Sequence, residues 1–321
     1  MLRFYAGKIT QYLILLFLAS TLNFALPRLM PGDPLLYVVG EDVTLMSSEE
    51  KEAMRTKMGL NRPVMTQYFA YMGELLQGDL GYSYRENKPV TDVIAKRLPW
   101  TILLSILNIL ISTILGVVAG ALAAWRRGTR MDLGLGTLMI FLRSMPSFWV
   151  GMILVAIFGA NLKWLPVYGA YTMWSDFKGI AYALDILKHL TLPLTTMVIL
   201  SVTSIFITMR YSMINILGED YITMAELKGV PQKRVKYKHA MRNALVPVVT
   251  VVMMNVGYMV GGATVVETVF AYPGTGRLLF EAVSNRDYPL IQGCFFVITL
   301  CVIGANIIAD LMYPLLDPKV V

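Results

Sequence analysis

The sequence predicts an all-α, polytopic membrane protein with six transmembrane helices and an extracytoplasmic helical insertion after the first of them. Of its 321 residues, 56% are hydrophobic and 15% are charged, whereas soluble domains have roughly 45 to 50% apolar and about 25% charged residues. The hydrophobic residues also fall into long blocks rather than amphipathic or alternating patterns. Basic residues lie beside these blocks and give a net charge of +7, which indicates membrane topology rather than a nucleic-acid surface.

Six blocks are long enough to cross a bilayer. The first, residues 9–30, would be about 33 Å long as a helix, which covers the hydrocarbon core. The other blocks are residues 100–124, 133–160, 190–213, 245–266 and 290–311. Arg143 and Pro146 interrupt the third block, and we interpret it as a single kinked span.

Positive charge predicts the orientation. Arg126, Arg127 and Arg130 follow the second block, and residues 210–242 carry seven Lys and Arg against three acidic residues. With a single kinked third span, both segments and the N-terminus lie on one side, which the positive-inside rule makes cytoplasmic. We therefore expect both termini in the cytoplasm.

Residues 31–98 then form the extracytoplasmic insertion, between an N-terminal part of residues 1–30 and a core of residues 99–321. Residues 47–60 open with a serine N-cap and early glutamates, and they predict a short amphipathic helix. A second helix is predicted over residues 64–76, ended by Gly78. The insertion is thus expected to be a small folded appendage.

The next outer segment, residues 161–189, is rich in aromatic residues. Trp164, Tyr168, Tyr171 and Trp174 are typical of an aromatic belt at the membrane interface, with a ligand-binding cage as the alternative.

No motif for catalysis, metal binding or phosphate binding is present. The stretch PGTGRLL at residues 273–279 lacks the lysine and the preceding strand of a phosphate-binding loop. The two histidines, His189 and His239, are far apart in the sequence and are interpreted as structural. The chain is therefore predicted not to be an enzyme.

Polar residues inside the spans are candidates for a transport pathway. Arg143 is costly near the middle of a bilayer, so it faces water or protein there; a structural pair or snorkelling towards the cytoplasm is the alternative. Asn108, Asn255 and Asn306 could line the same cavity or join helices by hydrogen bonds, which is the more usual role.

The polar segment between the fourth and fifth blocks predicts two helices joined by a tight break. Residues 219–228 begin with two acids, which favour a helix N-terminus, and Gly229 follows as a left-handed cap. Pro231 suits the first turn of the next helix. The first helix could bind a partner protein, or the two helices could lie on anionic lipid as a basic amphipathic segment. Hydrophobic periodicity does not distinguish these two alternatives.

The stretches DYITMAELKG (220–229) and HAMRNALVPVVT (239–250) resemble the cytoplasmic coupling loop of ABC importer permeases, in the dipeptide, oligopeptide and nickel branch. Further stretches similar to that branch occur in order along the chain: MPGDP (30–34), MGLNRPVMTQY (58–68), GDLGYS (78–83), VVETVFAYPGTGRLL (265–279), NRDYPLIQG (285–293) and LLDPK (315–319). Met224, Glu226 and Leu227 differ from the threonine, arginine and small residue of the family pattern.

The resemblance implies a type I ABC importer permease fold and a permease subunit in the cytoplasmic membrane of a bacterium or archaeon. It implies import of short peptides by alternating access, or of nickel or a metal chelate. The implied partners are a second homologous permease in a heterodimer, two cytoplasmic ATP-binding subunits, an extracytoplasmic substrate-binding protein and membrane lipid, with no nucleic acid. ATP and Mg would bind to the partner subunits, and no cofactor to this chain.

Within the coupling loop, residues 214–244, the resemblance assigns contact with the ATPase to six residues: Glu219, Asp220, Tyr221, Ala225, Gly229 and Pro231. An ion-coupled secondary transporter is the alternative of another class. It would require paired broken-helix repeats with intramembrane acids, which the sequence does not display.

Overall fold

The computed structural model describes residues 2–29, 35, 43, 45–57, 60–83, 85–257 and 263–316. Its helices are α1 (Leu2–Leu29), α2 (Ser48–Lys57), α3 (Val64–Leu76), α4 (Val90–Trp125), α5 (Arg130–Arg143), α6 (Ser147–Leu154), α7 (Ile180–Leu217), α8 (Asp220–Leu227), α9 (Gln232–Arg234), α10 (Arg242–Gly257), α11 (Thr264–Val269), α12 (Thr275–Ser284) and α13 (Tyr288–Leu316). Two π-helical segments, Val155–Asn161 and Val235–Met241, continue α6 and α9. Among the described residues the only sheet is the antiparallel pair β1 (Tyr82–Ser83) and β2 (Lys88–Pro89). The all-α prediction is confirmed.

In the part of the chain that the structure describes, four helices are long and apolar enough to cross a membrane: Gly7–Leu26 within α1, all of α4, all of α7, and Tyr288–Leu311 within α13. The pair Arg130–Arg143 and Ser147–Asn161 adds a fifth if it is counted as one span. The described residues therefore do not contain the six continuous spans that the sequence predicts. In the predicted span 245–266, α10 ends at Gly257 and residues 258–262 lie outside the described residues.

The third predicted span is broken rather than kinked, because its two halves differ in direction by 101°. The break follows Arg143, the last residue of α5, and α6 has Pro146 as its N-cap. Proline has no N–H to donate to the preceding turn, and it pushes the residue before it out of the helical region. The described residues therefore do not form the single kinked span that the sequence predicts, because the bend is 101°.

The chain forms two compact units, one of Met1–Thr101 with Pro273–Ile303 and the other of Ile102–Tyr272 with Gly304–Val321. Residues 31–98 fall inside the first unit, together with α1 and α12. A separate insertion domain with these bounds stays a prediction.

In the first unit, polar side chains join α1, α3 and α13. The Asn23 amide donates to the Gln292 backbone oxygen at 2.7 Å, and the Gln292 amide donates to the Asn23 backbone oxygen at 2.9 Å. Asn23 also donates to the Tyr71 hydroxyl at 3.3 Å, and the hydroxyls of Thr21 and Tyr68 lie 2.8 Å apart. Since buried polar groups need such partners, this network fixes how α3 sits on α1.

Both predicted helices of the insertion are confirmed. The Glu50 carboxylate accepts from the Ser47 N–H at 2.7 Å and the Ser47 hydroxyl accepts from the Glu50 N–H at 3.2 Å, so the pair forms a capping box at the start of α2. The second helix, α3, has the predicted bounds, and the chain reverses at Gly78 with φ of +78°.

In the second unit, α4 and α7 pack closely because α4 presents Gly116 and Gly120 to its neighbour. A Cβ added at Gly116 would lie 2.7 Å from the Ile205 Cβ, and one at Gly120 would lie 2.7 Å from the Phe206 backbone oxygen. This glycine spacing allows two membrane helices to approach backbone to backbone.

An ion pair ties the start of α5 to α7. The Arg210 guanidinium donates two hydrogen bonds to the Asp132 carboxylate, at 2.6 and 2.8 Å, and the Gly128 N–H donates to the same carboxylate at 3.0 Å. Asp132 is buried, so its charge depends on these partners.

Candidate functional site

The segment that the resemblance identifies as a coupling loop forms α8, a tight turn and a continuous run of helix from α9 to α10. One side chain, Ile222, anchors α8: it is 1% exposed and lies in a core with residues of α4, α7, the second π-helical segment and α10. The core residues that surround it include Met209, Met213, Val235 and Val248. Packed interiors deform little, so α8 is fixed to three longer elements.

The turn after α8 is a Schellman motif. Gly229 has φ of +74°, its N–H donates to the Glu226 oxygen at 2.8 Å, and the Val230 N–H donates to the Ala225 oxygen at 3.1 Å. A Cβ added at Gly229 would meet nothing within 4 Å. Glycine is therefore favoured here because of the left-handed backbone, since this chain leaves room for a larger side chain. The predicted left-handed cap is confirmed.

Pro231 lies at the N-cap of α9, one residue before the position the sequence suggested. Its backbone oxygen accepts from the N–H groups of Arg234 and Val235, at 2.7 and 3.1 Å. The helix then widens into the π-helical segment Val235–Met241 before α10 begins. Such segments are rare and frequently occur at functional sites.

Most of the predicted coupling residues lie together on an exposed surface. Glu219 is the N-cap of α8, and Asp220 is in its first turn. Tyr221 is 43% exposed, and its hydroxyl accepts from the Asn243 amide at 2.9 Å. Ala225 is half-buried, whereas Gly229 and Pro231 are exposed.

Three of the six exposed residues on α8 are apolar. Tyr221, Met224 and Leu227 are spaced three residues apart, and Leu227 is 78% exposed. In the sequence, Met224 and Leu227 stand out only as departures from the family pattern, and nothing there singles out Ile222. A run of apolar residues in a polar segment was the available signal, but the sequence does not tell which of them face inward.

The pathway candidates do not lie together in one described site. Arg143 is exposed and ends α5 at the break, and Asn108 is buried with its amide donating to the Ser201 hydroxyl at 3.1 Å. That bond joins α4 to α7, as expected of the helix-joining alternative. Asn255 in α10 and Asn306 in α13 are half-buried. A pathway role for these four residues stays a prediction.

Comparison with known proteins identifies the family. The profile described as "binding-protein-dependent transport system inner membrane component" matches residues 116–321, and the profile of the N-terminal membrane component of such systems matches residues 1–105. The chain belongs to this permease family. It is therefore a multi-pass inner-membrane component of a transport system that works with a binding protein, and the predicted ABC importer permease is confirmed.

Several curated relatives match the permease over nearly its whole length. A Brucella suis protein provisionally named a peptide permease is 38% identical over 321 residues, which cover 100% of this chain and 99% of the relative. The di/tripeptide transport system permease protein DppB of Pseudomonas aeruginosa is 35% identical, with 100% and 99% covered. The oligopeptide transport system permease protein AppB of Bacillus subtilis is 32% identical, with 94% and 93% covered.

Among solved structures, a chain of an amino acid ABC transporter with histidines aligns with 70% of the permease and 94% of its own length. The identity is 13% and the TM-score is 0.49. The family assignment rests on the profiles and the curated relatives.

Proposed function

We propose that this permease translocates short peptides across the cytoplasmic membrane by alternating access, using ATP that partner subunits bind and hydrolyse with Mg. Relatives at 32 to 38% identity over at least 93% of either chain carry names of peptide, di/tripeptide and oligopeptide permeases. The complex would contain a second homologous permease, two ATP-binding subunits and an extracytoplasmic binding protein. Both termini and α8 would face the cytoplasm.

The exposed surface of α8 supports the proposal that this helix couples the ATP-binding subunits to the membrane helices. Tyr221, Met224 and Leu227 expose apolar side chains on a short helix that Ile222 fixes to the membrane helices. Amphipathic helices that present apolar anchors dock into grooves of partner proteins. A groove on an ATP-binding subunit would receive this surface, and movement of that groove would reach α7 and α10 through the Ile222 core.

Gly229→Val tests the coupling assignment. A left-handed backbone costs a residue with a Cβ about 1 to 2 kcal/mol, so valine at φ of +74° should distort the turn behind α8. We expect a folded permease that loses either co-purification of the ATP-binding subunits or peptide uptake coupled to hydrolysis. Gly78→Val is the matched control and should keep the ATP-binding subunits bound, because Gly78 has φ of +78°, equally open surroundings and the same pair of turn hydrogen bonds after α3, outside the coupling loop.

The alternative, in which the segment lies on anionic lipid, makes the opposite prediction. Four basic residues would then matter more than the turn: Lys233, Arg234, Lys236 and Lys238. Replacing them by glutamine would abolish uptake, and Gly229→Val would have no effect. A fully active Gly229→Val complex, assayed in proteoliposomes with all partner subunits, would refute the coupling assignment.

The substrate class needs a separate measurement. Uptake of a labelled tripeptide should require the permease, ATP and the loaded binding protein together. Uptake of a nickel chelate without any peptide uptake under the same conditions would contradict the peptide proposal and leave the coupling proposal intact.

A further inference from the structure

A cavity of about 700 Å³ lies in the second unit, in the segment between the first π-helical segment and α7. Its lining includes all four aromatic residues of the predicted belt: Trp164, Tyr168, Tyr171 and Trp174. Lys163 and Lys188 also line it. The four aromatic residues therefore line a concave site, as in the ligand-binding alternative to an aromatic belt.

Hydrogen bonds to a buried carboxylate fix one wall of the cavity. Asp185, near the start of α7, is 9% exposed; it accepts from the Thr172 N–H at 2.6 Å and from the Thr172 hydroxyl at 2.8 Å. His189, one turn later, is buried and lies 2.9 Å through Nδ1 from the Asp185 backbone oxygen. Both Asp185 carboxylate oxygens thus serve to hold the wall.

The opposite wall is fixed by close packing. Gly159 lies against Val167, where an added Cβ would be 1.9 Å from the Val167 Cγ1. The Trp164 N–H donates to the Phe158 oxygen at 2.9 Å, and the two aromatic rings lie 6.0 Å apart. The Gly169 N–H donates a hydrogen bond to the Phe270 backbone oxygen at 3.1 Å, which attaches the same stretch to the end of α11. Hydrogen bonds and packing within the chain therefore hold the backbone around the cavity.

Two lining residues have strained backbones. Lys163 has φ of +54° and Trp174 has φ of +64°, and both side chains line the cavity. A left-handed conformation is unusual for a bulky residue and is frequent at ligand sites, where the surrounding structure maintains the strain. Both residues belong to the lining of the same cavity.

The chemistry of the cavity selects an anion with an apolar part. Both oxygens of the Asp185 carboxylate accept hydrogen bonds from Thr172. Lys163 and Lys188 are exposed and positively charged. Trp174 is 99% exposed and Tyr168 is 70% exposed, and such side chains are typical of the level of lipid headgroups. The cavity also adjoins the end of Ser147–Asn161, the second half of the bent pair, and the start of α7, which is long and apolar enough to cross a membrane.

We propose that this cavity binds the headgroup of an anionic phospholipid at the membrane surface. The two ammonium groups contact the phosphate, and the aromatic side chains contact the glycerol and the upper acyl chain. This site is independent of the transported substrate and of α8.

Native mass spectrometry of the full chain, extracted from nanodiscs of equal phosphatidylglycerol and phosphatidylcholine, tests the proposal. We expect preferential retention of phosphatidylglycerol, weakened roughly fivefold for each lysine removed, in Lys163→Gln and Lys188→Gln. Lys178→Gln is the matched control, because Lys178 is an exposed lysine of the same segment outside the cavity lining. Trp174→Ala should reduce retention of both lipids.

Competition identifies the source of the anion. Inorganic phosphate should not displace the lipid, since it lacks the apolar part. Equal retention in the lysine variants and in Lys178→Gln would overturn the proposal, and so would displacement by a short peptide, which would make the cavity a peptide site.

Discussion

Replacing Gly116 and Gly120 by alanine should push α4 away from α7. The added methyl at Gly120 would lie 2.7 Å from the Phe206 backbone oxygen and 2.9 Å from the Met209 Cβ. Ordinary contacts begin near 3.4 Å, so the helices would have to separate by about 0.7 Å. The obstacle is backbone, which cannot rotate away as the end of a side chain can.

The expected cost follows from two opposing effects. Overpacking a close helix contact costs typically about 1 to 3 kcal/mol, while alanine gains about 1 kcal/mol over glycine in helix propensity. Both effects count twice in the double variant, so we expect a net loss of about 2 kcal/mol, measured as the free energy of unfolding of the purified permease in detergent. Uptake should fall as well, because Ile205 and Met209 belong to the core that holds α8.

Gly136→Ala is the control, since a Cβ added there in α5 would meet nothing within 4 Å. It should be neutral or stabilising. If Gly116→Ala with Gly120→Ala proves as stable as this control, the two helices are not in the close contact described, and the reasoning fails.

Three further outcomes are expected. Arg143→Gln should leave assembly intact but slow peptide uptake; unchanged uptake at normal protein level would remove Arg143 from the pathway. We also expect the insertion to contact the binding protein, so deleting residues 47–78 should abolish stimulation of ATPase activity by loaded binding protein. Because that deletion also removes contacts to α1, Met65→Ser with Phe69→Ser is the sharper variant: both are exposed on α3, and normal stimulation would exclude this face as the docking surface. The Ser47 N–H lowers the pKa of the exposed Glu50 carboxyl. The capping box of α2 is therefore complete above the ordinary glutamate pKa, and it is lost as pH falls through the lowered pKa. Hydrogen exchange of the α2 amides should show this pH dependence, and Glu50→Gln should abolish it.

Local signals predicted local structure well. The SSEE run formed the capping box of α2, the bounds of α3 were those expected, and Gly229 adopted its left-handed cap. In each case the residues that determine the conformation are close neighbours in the sequence, so their hydrogen bonds can be deduced without tertiary contacts.

Features set by distant contacts were not predictable. Pro146 indicated a bend, but 101° depends on what the two halves pack against; at Gly151 in α6, an added Cβ would lie 3.2 Å from Val269 and Phe270 side-chain atoms. The inward direction of Ile222 and the cavity around Trp174 likewise depend on residues far along the chain. Composition revealed the aromatic residues and not the concave surface they form.

The ion pair between Asp132 and Arg210 restricts which parts of the broken span can move. Two short hydrogen bonds attach the first turn of α5 to α7, whereas the other end of α5 is followed at once by the Pro146 break. The Thr203 hydroxyl of α7 also donates to the Met139 backbone oxygen at 3.2 Å, near the other end of α5. A rotation of α7 would therefore carry the whole of α5 with it. In mechanical terms, the two attachments make α5 and α7 a single lever.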